Sequence, residues 1–194
     1  MSDVTNTYFS SDRISETLPA AFKQALTNPA AWFAGMPEAT NYKDSLVLLA
    51  IYITVPALVS SALTGFITII ILPLSLALGL IATWMWAWYL AWASRMFCKA
   101  RLTTVDAFQI CAAGAAPMVF SCIPFLMPVA TLWNLYLNWQ GMVSHAKVGG
   151  GCALLIILAA FVILGGSLLL LGALLLQLAH QSGLSLPPMP MQSF

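Results

Sequence analysis

Charged side chains are scarce in this sequence, and their scarcity excludes an ordinary soluble domain. Of the 194 residues, 7% are charged and 61% are hydrophobic. A soluble domain has roughly 25% charged residues, which form a hydrated surface around its core. So few charges cannot cover a core in water, and the composition therefore predicts an integral membrane protein. The seven Lys and Arg residues are also too few for a basic nucleic-acid-binding surface, so no nucleic-acid partner is expected.

Sequence signatures of enzymes and metal sites are missing as well. The sequence contains no P-loop, H-E-x-x-H or G-x-S-x-G motif. Its cysteines form no C-x-x-C pair or zinc-ligand pattern, and we interpret them as small structural side chains. They are Cys98, Cys111, Cys122 and Cys152. We therefore expect a protein that is not an enzyme and has no catalytic residue, bound metal or cofactor.

Long uncharged stretches make up most of the chain after residue 44. The first, at 45–94, would be about 75 Å long as one helix, whereas a bilayer core of about 30 Å needs roughly 20 helical residues. This stretch must therefore turn, either near its polar residues at 62–68 or near Pro73. The second stretch, at 107–146, divides at a Ser-Cys-Ile-Pro sequence, and the third, at 148–194, holds one span.

These divisions predict an all-α, polytopic bundle of five transmembrane helices. The apolar runs are continuous rather than alternating, which excludes a membrane β-barrel. The predicted spans are approximately 45–62, 69–94, 104–121, 125–144 and 152–178. The expected organisation is a cytoplasmic segment at 1–44, a transmembrane domain at 45–178 and an irregular outer tail at 179–194.

The basic residues predict the orientation of the bundle. All seven fall on one side of the five-span arrangement, namely Arg13, Lys23, Lys43, Arg95, Lys99, Arg101 and Lys147. Basic residues concentrate in the cytoplasmic loops of membrane proteins. We therefore expect a multi-pass protein of the inner (cytoplasmic) membrane, with its N-terminus in the cytoplasm and its C-terminus outside.

The N-terminal segment has an amphipathic pattern and no signal-peptide pattern. Asn28 before Pro29, and Thr17 before Pro19, are typical of helix starts. We predict two short interfacial helices on the inner membrane face, and the alternative is a loosely ordered tail. Their apolar residues at helical spacing are Ile14, Leu18, Phe22, Ala25 or Leu26, Trp32, Phe33 and Met36.

Several local sequences agree with one family of membrane proteins. In the segment 25–33, ALTNPAAWF, a proline and an aromatic pair precede the first span. Further agreement lies at TTVDAF (103–108), Ala116-Pro117, Ile123-Pro124, LWNLYL (132–137), Gly141-Met142 and His145. Over roughly 25–175 the chain resembles the bacterial form of the Yip (Ypt-interacting protein) family of five-span proteins. The resemblance implies a helical membrane protein without known chemistry; eukaryotic relatives bind Rab GTPases, and the bacterial members have no settled role.

Three tryptophans repeat every four residues on one face of the predicted second span. They are Trp84, Trp88 and Trp92. Tryptophan near the membrane interface usually anchors a helix, although Trp84 lies about 16 Å from Arg95 along a helix. We interpret the three rings as anchoring and packing residues, and the alternative is a groove that binds lipid or a partner.

A polar stripe follows the predicted fourth span. Asn134, Asn138, Gly141 and His145 lie on one helix face at i, i+4, i+7 and i+11. An amide in hydrocarbon needs a hydrogen-bond partner, so this stripe should face other helices or water. Hydrogen bonding between helices is the first interpretation, and a polar permeation or binding path is the alternative.

Smaller motifs concern the helix ends and helix packing. Thr103 and Asp106 have the spacing of a capping box that starts the third span. Small residues, which permit close helix approach, occur at Ala112, Ala116, Gly165, Gly166 and Gly172.

The sequence leaves two functions in competition. The first is a non-enzymatic membrane scaffold or accessory subunit, which packs against another membrane protein, associates with itself or organises lipid. The alternative is a small transporter or channel that uses the polar stripe. What separates them is whether the stripe is sealed by helices or opens to water.

Overall fold

The computed structural model describes residues 8–63, 70 and 72–181. All regular secondary structure in these residues is helical, which confirms the all-α prediction. The elements are α1 (Ile14–Thr27), α2 (Pro29–Ala34), α3 (Lys43–Leu63), α4 (Leu72–Cys98), α5 (Thr104–Gly114), a 3-10 segment (Ala116–Cys122), α6 (Met127–Ser144) and α7 (Gly150–Gln181). The chain forms two compact units, Met1–Ile157 and Leu158–Phe194.

Three of the described helices are long and apolar enough to cross a membrane. They are Lys43–Ala62, Leu72–Cys98 and Gly150–Leu174. The count becomes four if α5 and the 3-10 segment, which meet at a bend of 43°, form one broken span. The membrane character of the chain is therefore supported, whereas the five predicted spans are not reached by length and composition.

The helix α6 corresponds to the predicted fourth span, and it is the predicted span that is not counted. It coincides closely with the predicted span at 125–144, but it is not among the sufficiently apolar helices. The reason is its amide side chains, Asn134, Asn138 and Gln140, which lower its mean hydropathy. A helix with this many amides must hydrogen-bond inside the bundle or meet water.

The predicted third span is broken where a single helix was expected. The helix α5 ends at Gly114, and Pro117 lies in the first turn of the 3-10 segment. Proline has no backbone N–H, and its ring collides with the preceding turn inside an α-helix. The prediction of one continuous helix at 104–121 is therefore wrong. The predicted turn at 62–68 and the outer tail at 179–194 lie almost entirely outside the described residues.

The two N-terminal helices exist, with one boundary different from the prediction. Asn28 caps α2 as predicted, because its side chain accepts a hydrogen bond from the Ala31 N–H at 3.4 Å. Thr17 does not start α1, which begins at Ile14. Its hydroxyl is buried and donates to the Arg13 carbonyl at 2.8 Å. Thr17 is therefore an interior residue of α1 and not its N-cap.

Much of the apolar face of these helices packs on protein rather than standing free. α2 packs against α6, and α1 packs against the 3-10 segment. Trp32 and Phe33 are buried, and a Cβ placed on Gly141 would lie 3.1 Å from Cε1 of Phe33. Position 141 must therefore stay small for α2 to dock on α6.

Tyr8 makes a further contact with α2. Its hydroxyl donates to the Trp32 carbonyl at 3.1 Å, and partial burial raises the pKa of Tyr8.

Small side chains allow the central helices to approach closely. α4 packs against α5 through a buried face that contains Ala87, Ala91 and Ser94. Ala112 and Ala116 are fully buried, as the predicted close packing requires. Gly165, Gly166 and Gly172 belong to the second compact unit, and their role in close helix packing stays a prediction.

A disulfide joins the end of α4 to the start of α7. Cys98 and Cys152 form this bond, with their Cα atoms 6.2 Å apart. No sequence pattern predicts this bond, because the two cysteines are 54 residues apart and have no motif spacing. Nearby, the Tyr89 hydroxyl donates to the Ile156 carbonyl at 2.9 Å. The first turns of α7 are therefore held to α4 by a covalent bond and a hydrogen bond.

Candidate functional site: a cavity inside the helix bundle

A cavity of about 580 Å³ lies among α3, α4, α6 and the broken α5 region. Ligand pockets usually enclose roughly 300–1,000 Å³, so this volume suits a small molecule or part of a lipid. Most of the lining is apolar and includes Leu49, Ile53, Ala57, Ala82, Trp86 and Met118. Among the described residues that line the cavity, none is charged.

The helix break at Pro117 produces the first polar feature of the cavity. Because the chain tightens there, the Met118 N–H donates to the Ala115 carbonyl at 2.9 Å instead of to the carbonyl four residues before it, that of Gly114. The Asn134 side chain donates to this Gly114 carbonyl at 2.9 Å. One amide of the predicted stripe therefore satisfies a backbone group that the helix break leaves without its helical partner.

The second amide of the stripe is bonded through its donor group alone. Asn138 Nδ2 donates to the Asn134 carbonyl at 2.8 Å and to Asn134 Oδ1 at 3.1 Å. Its Oδ1 is buried and has no hydrogen-bond partner among the described residues. A Cβ on Gly114 would come 3.0 Å from Asn138 Nδ2, so the glycine makes room for this amide. The stripe therefore contains bonded amide donors and one buried acceptor that has no hydrogen-bond partner among the described residues.

Tyr52 of α3 is a further residue of the site, and it belongs to no motif of the sequence. It lines the same cavity, is 2% exposed, and its hydroxyl has no hydrogen-bond partner in the described part of the chain. Buried polar atoms are nearly always hydrogen-bonded, so each exception needs an explanation. The only available sequence signal was a tyrosine in the middle of an apolar span, whose hydroxyl would need a partner there.

His145 is separated from the two amides of the stripe. It follows the last residue of α6, and its backbone N–H donates to the Gly141 carbonyl at 2.9 Å. It lines a different pocket of about 310 Å³, together with Glu38, Arg101 and Asp106. The structure therefore brings Asn134 and Asn138 together at one site and places His145 at another.

Asp106 acts as a structural acid beside that second pocket. Its backbone N–H donates to the Thr103 hydroxyl at 3.1 Å, which confirms the predicted cap of the helix. Its carboxylate accepts hydrogen bonds from the Thr103 hydroxyl and from the Ala39 N–H, the latter at 3.0 Å. Within the described ranges, no group of three or more His, Cys, Asp or Glu residues could hold a metal ion.

The three predicted tryptophans lie on the exposed face of α4 and do not line the cavity. Trp84, Trp88 and Trp92 are each exposed over at least 39% of their surface. Trp88 and Trp92 stack on each other, with ring centroids 6.3 Å apart. The tryptophan that lines the cavity is Trp86, which lies off the predicted face.

The molecule thus presents two separate features, an open cavity among α3, α4 and α6 and an exposed aromatic face on α4. No protein-family model, curated protein or solved structure matches the chain, so membership of the Yip family stays a prediction.

Proposed function

We propose that the chain is a non-enzymatic membrane scaffold or accessory subunit, whose outer helix faces bind another membrane protein, a second copy of the chain or lipid. The observation that carries this proposal is the two-sided character of α4. One side is buried against the bundle through small residues such as Ala87 and Ala91. The opposite side exposes large apolar residues, including Leu78, Met85 and Trp88. In hydrocarbon, such a face is free to contact lipid or to pack against another helix.

The proposed topology has five spans, with α6 as the fourth. The chain lies in the inner (cytoplasmic) membrane, with its N-terminus in the cytoplasm. The one-sided distribution of basic residues and the resemblance to the Yip family support it. The disulfide opposes it, because Cys98 lies beside Lys99 at the basic end and disulfides are rare in the reducing cytosol. The proposal therefore requires this bond to be reduced in resting cells.

Cysteine labelling tests this topology directly. In a variant without native cysteines, we expect Lys99→Cys and Lys147→Cys to react with an impermeant maleimide only from the cytoplasmic side. Ser185→Cys should react only from outside, because an odd number of spans separates it from the other two positions. Reaction of positions 99 and 147 from opposite sides would exclude the five-span arrangement, and reaction of both from outside would invert it.

Site-specific photo-crosslinking tests the scaffold proposal. A short diazirine amino acid in place of Met85, which is exposed on α4, should yield a discrete adduct with one protein when membranes are irradiated. Met142 is the matched control, because it is fully buried and should crosslink only within the chain. Adducts with lipid alone at position 85 would favour the lipid-organising form of the proposal, and identical adduct patterns at both positions would refute the outward face.

A transporter or channel is the second candidate. It is favoured by the cavity of about 580 Å³ that Asn134 and Asn138 line. Coupled transporters usually place an ionisable group at mid-membrane depth, and no charged residue is present among the described lining residues. The scaffold is therefore the better supported of the two.

A further inference from the structure

We propose that Cys98 and Cys152 are a redox-modification site, at which a peroxide closes the disulfide and a cytosolic protein dithiol opens it again. This inference rests on the topology proposed above, which places both cysteines at the cytoplasmic end of the bundle, and it adds a regulation to the scaffold. It starts from a disulfide that lies beside Lys99 at the basic end of the chain. Disulfides of cytosolic proteins are usually transient and catalytic or redox-sensing.

The pair has the exposure and the neighbours that oxidation by a peroxide requires. Both cysteines are partly exposed, whereas Cys111 is buried. Cys152 lies in the first turn of α7, where the helix dipole stabilises negative charge, and Cys98 precedes Lys99. Peroxides react with the negatively charged thiolate, so both positions favour the reaction.

Hydrogen bonds hold the two cysteines close without help from their sulfur atoms. The Trp139 indole N–H of α6 donates to the Gly150 carbonyl at 3.0 Å. The Tyr89 hydroxyl of α4 donates to the Ile156 carbonyl at 2.9 Å. These bonds join the first turns of α7 to two other helices. When the disulfide is open, the two Cα atoms therefore stay near their separation of 6.2 Å, within the usual range for a disulfide.

Closure and opening are balanced two-electron reactions. The Cys152 thiolate attacks one oxygen of hydrogen peroxide, the O–O bond breaks, and a sulfenic acid and hydroxide form. The Cys98 thiolate then attacks this sulfur, the S–S bond forms, and the S–O bond breaks to release a second hydroxide. The two protons of the thiols convert the hydroxides to water. A protein dithiol reverses the change by thiol–disulfide exchange and leaves as a disulfide itself.

Closure affects the outer surface on which the scaffold proposal depends. Met96 and Phe97 at the end of α4, and Leu154 and Leu155 in the first turns of α7, are exposed apolar residues. A covalent bond between the two helix ends fixes these side chains relative to one another. In the open form hydrogen bonds alone do so. The redox state therefore controls how firmly this part of the surface is presented to a partner.

The number of free thiols in intact cells tests the switch. Cells that express the full chain are quenched in acid, and their thiols are alkylated in denaturant with a maleimide polymer that shifts the band once per thiol. All four cysteines should react in resting cells, and two should react after brief treatment with hydrogen peroxide. Dithiothreitol should restore all four, because a disulfide is reducible and a sulfinic acid is not. Cys122→Ser, the matched control, should still lose two thiols, whereas Cys98→Ser should lose at most one.

Two reactive thiols in resting cells would overturn the switch and identify a permanent structural bond. The labelling of Lys147→Cys then separates two causes. Labelling from outside means that the proposed topology has failed, and labelling from the cytoplasmic side means that the switch alone has failed. Four reactive thiols after peroxide treatment would also overturn the proposal.

The rate of closure tests whether hydrogen bonds position the open pair. In the purified, reduced chain, Trp139→Phe should slow disulfide formation by peroxide roughly five-fold, the typical effect of one hydrogen bond. Trp133→Phe is the matched control, because Trp133 lies on the same helix and its ring contacts Tyr136, and it should close at the rate of the wild type. Equal rates for the wild type and Trp139→Phe would overturn the positioning of the pair.

Discussion

Removal of the Cys98–Cys152 disulfide should lower the free energy of unfolding by about 4 kcal/mol. The bond connects residues 54 positions apart, and a cross-link over so long a loop strongly restricts the unfolded chain. Cys98→Ser, Cys152→Ser and the double substitution should lose the same amount, because each removes the same bond. Unfolding in mixed micelles with increasing dodecyl sulfate measures the loss.

Reductant provides the internal control for this prediction. Dithiothreitol should destabilise the wild type to the level of the variants and should leave the variants unchanged. Cys122→Ser is the matched substitution, because Cys122 is a free cysteine and should change stability by less than about 0.5 kcal/mol. A wild type that keeps its stability in reductant would show that the bond contributes nothing to the fold.

Phe33→Ala should cost about 3–5 kcal/mol of stability, the usual result of truncating a buried phenylalanine. Phe33 has no exposed surface, and it packs where α2 meets Gly141 of α6. Deleting the ring leaves a cavity that the neighbouring helices can fill only in part. The same dodecyl sulfate titration measures this loss.

Phe125→Ala is the matched control for that substitution. Phe125 is 90% exposed, so its truncation should change stability by less than about 0.5 kcal/mol. If Phe33→Ala leaves unfolding unchanged and instead weakens the binding of an N-terminal peptide to vesicles, α2 lies on the membrane surface. That outcome would support the interfacial helices that the amphipathic pattern predicts.

The membrane class and the long helices were predictable because they follow from composition and local pattern. Uncharged runs bounded by charges or glycine placed spans at 45–62, 69–94 and 152–178, and the corresponding helices are Lys43–Leu63, Leu72–Cys98 and Gly150–Gln181. Backbone in hydrocarbon has to hydrogen-bond within its own segment. These three uncharged runs therefore form helices whatever their neighbours are.

Local capping was predictable for the same reason. Asn28 and Thr103 accept hydrogen bonds from backbone groups three residues ahead, so the contact lies within one turn. The break before Pro117 could also have been predicted locally, from the proline itself, but a straight span was assumed instead. Proline at that position predicts a broken helix, although its consequence for Asn134 depends on a contact between helices.

The site itself depended on which helix faces meet, and a single sequence does not encode that in any local pattern. Asn134 and Asn138 share a face, but Gly114, which accepts a hydrogen bond from Asn134, and Tyr52, which lines the same cavity, come from two other helices. The pairing of Cys98 with Cys152 spans 54 residues, and Phe33 is buried because Gly141 leaves space for it. Hydrophobic periodicity marks a face as apolar without saying whether lipid or protein covers it, since both solvate apolar side chains almost equally. Whether protein covers an apolar face depends on shape, because small residues let two helices approach closely.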